Sequence, residues 1–282
     1  MILNLELVIN FNMKLIAPSV QFIPQDYSEE GIYKHIEKCA RTCYKSEDKI
    51  TKDSAEAFVE RMIKSKHYSM LEHGTVLLKI PKDHVLAEYF LSNKYSMVFP
   101  TNNMLEITTN LRCIPNYSLK PLLHQLTDKT FYDRLTFKFI CSRSTAQQLT
   151  RHRAFSFAME SQRYCNYSKD KFGNQITFIA PEVAEEGDKI NAMKIGSTIY
   201  SALKDAENNY LELIKLGCTP EEARSVLPNA TKTELIMTGS VYDWRCFIKQ
   251  RCEEGTGKVE KEMKELATTV KDSIAEHYQE NL

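Results

Sequence analysis

The sequence predicts an α+β fold, and three observations predict it. Strand-like runs are few, helix-like runs are many, and the two do not alternate as they do in a doubly wound sheet. The last third of the 282 residues reads as helix almost throughout. The length fits one large domain or two ordinary ones, and the composition is globular: 43% of residues are hydrophobic and 26% charged, close to ordinary usage. Thirty-seven basic side chains balance 37 acidic ones. That balance argues against a general nucleic-acid or membrane-surface binder, which carries a basic excess.

Met1 to Phe11 is apolar but interrupted by Asn4, Glu6 and Asn10, so it reads as neither a signal peptide nor a spanning helix. Met13 resembles a second start, so residues 1–12 are set apart as an extension and 13–282 as the domain. Apolar spacing predicts helices over Ile32–Tyr44 and Asp53–Lys66, the latter capped by Asp53 or Ser54. Thr75–Ile80 reads as a strand ended by Pro81, and Leu135–Cys141 as a second strand. Between them, 82–134 carries mixed signals and reads as an inserted segment without a core of its own.

Ser142–His152 is predicted as a helix and Asn174–Ala180 as a strand. Lys194–Leu216 is predicted as a long helix stopped by Gly217, a residue suited to a left-handed cap. Pro220 opens a short helix over Glu221–Leu227, and Thr231–Met237, Val241–Arg251 and Lys258–Tyr278 are predicted as further helices.

Eight cysteines and seven histidines form no CxxC, zinc-finger or HExxH spacing. Free thiols in a reducing cytoplasm are expected, and no metal site. No GxGxxG or GxxxxGK[ST] run is present, so a bound nucleotide would be gripped by side chains in place of a glycine-rich loop.

The strongest local signal is Arg151-His152-Arg153, seven residues of spacer, then Ser161-Gln162-Arg163-Tyr164. Like charges this dense repel, and guanidinium forks match phosphate or carboxylate, so the cluster points to a bound anion. The plain alternative is a solvated helix face. In a helix Arg151 and Arg153 would face nearly opposite sides, so they grip two groups or the backbone leaves helical geometry there. Arg224 and Arg251 are further cations, with Glu221 and Glu254 as ordinary ion-pair partners. Ser161 lacks a GxSxG elbow, and Cys165, thirteen residues from His152, is either a nucleophile paired with it or a buried free cysteine. His73, before a strand, reads as a ligand or proton relay or as a hydrogen-bonded structural histidine.

Together these pieces resemble the flavin-dependent thymidylate synthase family, whose signature is RHR, seven residues and Ser. The likeness extends to Glu72-His73, Gln148, Ala223-Arg224 with Leu227-Pro228, and Arg251. The resemblance implies a homotetramer built on an antiparallel sheet flanked by helices, with sites where subunits meet. It implies FAD as cofactor, dUMP as substrate, methylenetetrahydrofolate as carbon donor and NADPH as reductant. The flavin would carry the carbon to the uracil, yielding dTMP without a cysteine nucleophile.

By the same resemblance Arg151, His152, Arg153, Ala154 and Met159 would hold the flavin, with Thr75 and His73 near it. Gln148, Arg151, Met159, Glu160, Ser161, Gln162, Arg163 and Arg224 would hold dUMP. Arg251 would be the catalytic cation at the pyrimidine edge, favouring its ionised form. The chain departs from the family pattern at Ala158-Met159, where Asn-Glu is usual. It departs again at Ser240 and Cys246, where asparagines are common, and along Gly255–Glu260. Two other readings stay open: a related flavin enzyme making a different C5 modification, and a single-stranded nucleic-acid binder stacking bases on Tyr164, Tyr167 and Phe172.

Overall fold

The run Thr233-Glu234-Leu235-Ile236-Met237-Thr238, predicted as helix, is a strand. In the computed structural model it forms Lys232–Ser240, buried at nearly every position. A strand covered on both faces shows no alternation, and its continuous apolar run is indistinguishable by period from a buried helix. The β-branched Thr231, Thr233, Ile236 and Thr238 were the discriminating signal. The structure describes residues 13–127, 133–181, 189–253 and 257–278, so the extension over 1–12 and residues 254–256 lie outside it.

The chain divides into two compact units. The described part of the first comprises residues 13–19, 140–149, 160–181 and 189–234. Lys14–Ile16 pairs in parallel with Thr177–Ile179, a shorter strand than predicted. Its core gathers Met13, Cys165, Tyr167, Ile176, Phe178, Leu203, Tyr210 and Ala223. Leu203 and Tyr210, seven residues apart, lie on one face of the helix Lys189–Lys215. Gly217 ends that helix at φ 94°, with Gly217 N–H donating to Ile214 and Cys218 N–H to Leu213, the paired bonds of a Schellman cap. Thr219 then caps the helix Pro220–Ala223 reciprocally with Glu222, and a 3₁₀ turn, Arg224–Val226, follows.

The described part of the second unit comprises residues 20–127, 133–139, 150–159, 235–253 and 257–278. It holds most of a four-stranded sheet ordered Ser19–Phe22, Arg134–Ser142, Lys232–Ser240, Ser156–Met159. The last two pair antiparallel, Ala158 opposite Ile236. A second, antiparallel sheet is ordered Thr75–Pro81, Met104–Asn110, Met97–Pro100. The fold is thus mixed helix and antiparallel sheet, with the parallel pair of the first unit as an exception. Met97–Pro100 and Met104–Asn110 therefore extend the sheet that contains Thr75–Pro81. Leu105, Ile107, Leu111, Ile114, Leu119 and Leu122 from the 82–134 segment share one core with Ile32, Ile36, Leu71 and Val76.

Helices Glu29–Arg41 and Ala55–Lys64 cover the predicted spans with shifted ends. Ser54 sits at the cap position of the second but does not cap it. Its hydroxyl donates to Glu37 Oε2 at 2.7 Å instead. Glu37 is 1% exposed, and a buried carboxylate paired with Arg41 gains more from a second donor than a helix end does.

Candidate functional site

The RHR run is not helical. The helix predicted over Ser142–His152 is Arg143–Leu149, and Thr150 to Ala154 turn out of it before the strand Ser156–Met159. The turn resolves the geometric conflict of an arginine pair 200° apart on a helix. In the second unit Arg151, His152, Arg153, Ala154 and Phe155 line a cleft of about 240 Å³ with Asp243, Cys246, Phe247 and Gln250. Arg151 and Arg153 are exposed and have no acidic partner among the described residues.

Phe155 fixes the turn from beneath. Its ring meets Trp244 edge to face at 4.6 Å, and Gly239 passes so close that an added Cβ would lie 2.4 Å from it. Trp244 is anchored in turn by its indole N–H on the Leu135 carbonyl. Phe247 packs against His152 at 4.9 Å. Trp244 and Phe247, one turn apart in Val241–Ile248, are cleft-building residues that sequence reasoning passed over; their spacing on one helix face was the available signal.

Arg251 lies in the π-helical turn Lys249–Glu253, which follows that helix. Its Nε donates to His152 Nε2 at 3.1 Å. His152 therefore accepts at Nε2 and carries its proton on Nδ1. Burial, and then the Arg251 charge, push the His152 pKa down to about 4, so the ring is neutral at neutral pH. Burial and the Arg151 charge also lower the Arg251 pKa. An anion bound here would relieve that repulsion. Ser240 caps the helix with Asp243, and Cys246 reaches the cleft.

His73 and Thr75 do not line this cleft. His73 is fully buried, its Nδ1 2.8 Å from Thr238 Oγ1, and Nε2 has no hydrogen-bond partner among the described residues. Thr238 continues to Thr136 at 2.9 Å and Thr136 to His35 Nε2 at 3.0 Å. Thr75 is pinned through its backbone by Gln25. Met159 ends its strand opposite Leu235.

The remaining predicted residues lie in the first unit. Glu160 is 1% exposed and spent internally: Oε1 accepts from Tyr167 at 2.9 Å and Oε2 from Lys232 at 2.8 Å. Lys232 also holds Glu234 at 2.6 Å. Neither Tyr167 nor Lys232 was singled out as a partner of Glu160. Of the next residues only Arg163 and Tyr164 are exposed. Ser161 is half-buried, and its carbonyl accepts from Tyr164 and Cys165, bending the chain. Gln162 is 7% exposed, and its Nε2 donor has no acceptor among the described residues. A buried donor without an acceptor is uncommon and suits a ligand atom.

Arg163 Nε lies 3.0 Å and Arg224 Nη2 3.8 Å from one oxygen of Glu221. The ion pair expected of Arg224 is thus present, while Glu254 lies outside the described residues. Gln148 is half-buried in Arg143–Leu149. Cys165 is core, and Tyr167 meets Phe172 edge to face at 5.1 Å with Tyr167 buried. That packing withholds the Tyr167 face from a nucleic-acid base. All eight cysteines are free thiols.

The family model described as thymidylate synthase complementing protein matches residues 133–278. The chain is 30% identical over 138 residues to a flavin-dependent thymidylate synthase from Corynebacterium aurimucosum, covering 45% of this chain and 52% of that protein. It is 35% identical over 123 residues to one from Mycolicibacterium gilvum, covering 40% and 47%. The chain spans about half the length of these curated relatives. A solved UMP/dUMP methylase from Streptomyces cacaoi, bound with 5-Br dUMP, is 16% identical with a TM-score of 0.48, covering 94% of this chain and 93% of that one.

Proposed function

The chain belongs to the thymidylate synthase complementing protein family, and from that membership we propose that it methylates C5 of dUMP reductively, forming dTMP. FAD is the proposed cofactor, methylenetetrahydrofolate the carbon donor and NADPH the reductant. One observation carries the reading: the RHR run of the matched segment leaves helical geometry and offers two guanidiniums, without acidic partners among the described residues, beside a cleft.

That donor set fits the diphosphate of a flavin dinucleotide, since two exposed forks at a turn can each take a phosphate. Arg151 and Arg153 would hold it, with Ala154, Cys246 and Phe247 as cleft walls. Bound flavin would supply the carbon- and hydride-transfer chemistry, as cofactors generally do. The cleft, at about 240 Å³, is smaller than a usual ligand pocket, which supports a site completed by further copies in a homotetramer.

This chain's own residues would orient and charge the substrate. Neutral His152 fixes Arg251 through Nε, leaving the two terminal nitrogens for a pyrimidine edge. A fixed cation there would favour the ionised uracil, each tenfold gain in ionisation requiring about 1.4 kcal/mol. Arg163 and Arg224 would take the nucleotide phosphate, and Gln162 Nε2 would donate to the substrate. Glu160 positions this stretch from inside, through Tyr167 and Lys232.

The test is a visible spectrum of the purified protein with and without dUMP, followed by product analysis in the full reaction mixture. A flavin band perturbed by dUMP, and a nucleotide product with the mass of dTMP, are expected. Protein that takes up no FAD and yields no dTMP refutes the reading, and a product of another mass replaces it with a different C5 modification.

A further inference from the structure

We propose that Glu221 is a specificity-determining residue: an internal counter-anion that a phosphate must displace before Arg163 and Arg224 can close on it. The proposal rests on the reading of those arginines as phosphate ligands and adds the element that sets which anions they accept. One Glu221 carboxylate oxygen serves both guanidiniums, at 3.0 Å and 3.8 Å. Two cations and one anion leave a net positive charge, so the pair is occupied but not neutralised.

The local sequence builds this arrangement. Thr219 and Glu222 consume each other in the capping box, which leaves Glu221 as the adjacent uncommitted acid. Glu221 and Arg224 are three residues apart across a short helix and the turn that follows, and so share a face. Arg163 arrives from the bend after Ser161, with Tyr164 against its other side at 5.3 Å. Exposures of 50%, 53% and 36% for Arg163, Glu221 and Arg224 let an incoming anion reach them without unfolding. The adjacent Gln162, whose buried donor has no acceptor among the described residues, marks the same stretch as one that awaits a ligand.

The exchange weakens every anion alike and so sets a threshold that only the more highly charged one clears. A carboxylate carries one charge on two oxygens, whereas a phosphate monoester near neutral pH carries close to two on three terminal oxygens. The tethered carboxylate acts at an effective concentration on the order of millimolar. Nucleosides and free carboxylates therefore lose to Glu221, while a nucleoside monophosphate displaces it.

The test is calorimetric titration of the full chain with inorganic phosphate and, separately, with dUMP. Removing the competitor with Glu221→Gln is expected to tighten inorganic phosphate by about fivefold, the scale of one exposed ion pair. Glu221→Asp, which keeps the charge, should bind phosphate as weakly as the parent. Tighter phosphate and dUMP in the Gln variant support the proposal. Tighter phosphate with no dUMP binding by either protein also supports it, while removing the nucleotide reading of the site. Unchanged or weaker phosphate binding in the Gln variant overturns it, because Glu221 would then be holding the arginines in place for the anion.

Discussion

Acidification below about pH 6.5 should destabilise the second unit through His35 and His73. The two rings end a buried chain of hydrogen bonds, His35–Thr136–Thr238–His73, with spacings of 3.0, 2.9 and 2.8 Å. Burial is the main reason that the pKa falls to about 4 at His35 and about 3 at His73. At His35 the Lys38 charge adds to it, and at His73 the charge of a protonated His35 does.

In the unfolded chain both rings titrate near 6.5. Between that value and about 4 the unfolded state binds more protons, so stability rises with pH through this window and is lost as pH falls below 6.5. Each ring contributes about 1.4 kcal/mol per pH unit and the pair close to 3, so from about pH 7.5 to about pH 5 the loss is roughly 4 kcal/mol. That is a large fraction of ordinary domain stability. Urea unfolding at the two pH values measures it, and His35→Gln and His73→Gln should each remove about half of the slope. A parent midpoint that does not move between those pH values, or a slope that survives in the double variant, refutes the argument.

Three further outcomes follow from particular contacts. Lys232→Met leaves the Glu160 and Glu234 carboxylates buried without their cation, at a cost of about 3–5 kcal/mol, and thermal unfolding should show it; an unchanged midpoint contradicts the network. Gly239→Ala drives a Cβ into the Phe155 ring and should cost about 1–3 kcal/mol, with weaker flavin retention in an absorbance assay; full retention would separate the turn from that packing. Arg153→Ala should weaken FAD by at least about tenfold, the scale of a charge-assisted hydrogen bond, while Arg251→Ala should keep flavin bound and remove most turnover. Flavin spectra and dTMP assays read these two effects, and an active Arg251→Ala enzyme would displace Arg251 from its proposed role.

The cationic character of the centre of the chain was legible from residue types alone, because guanidinium chemistry does not depend on what surrounds it. Local chemistry also located the Gly217 cap and the start of the Pro220 helix, since caps and turns are decided within a few residues. The departure at Ala158 acquires a reason in the structure: the position is packed among Ile23, Cys39 and Ile236, where a polar side chain would be buried.

By itself, then, the sequence determined the α+β class, the arginine-rich motif and the local stops. Only the tertiary structure decided that Lys232–Ser240 is a buried strand, that Glu160 is consumed by a lysine 72 residues away, and that Arg251 leans on a histidine 99 residues before it. Periodicity reports which face of an element is covered. It does not report which distant side chain covers it, because that choice is made by packing between segments that meet only when the chain folds.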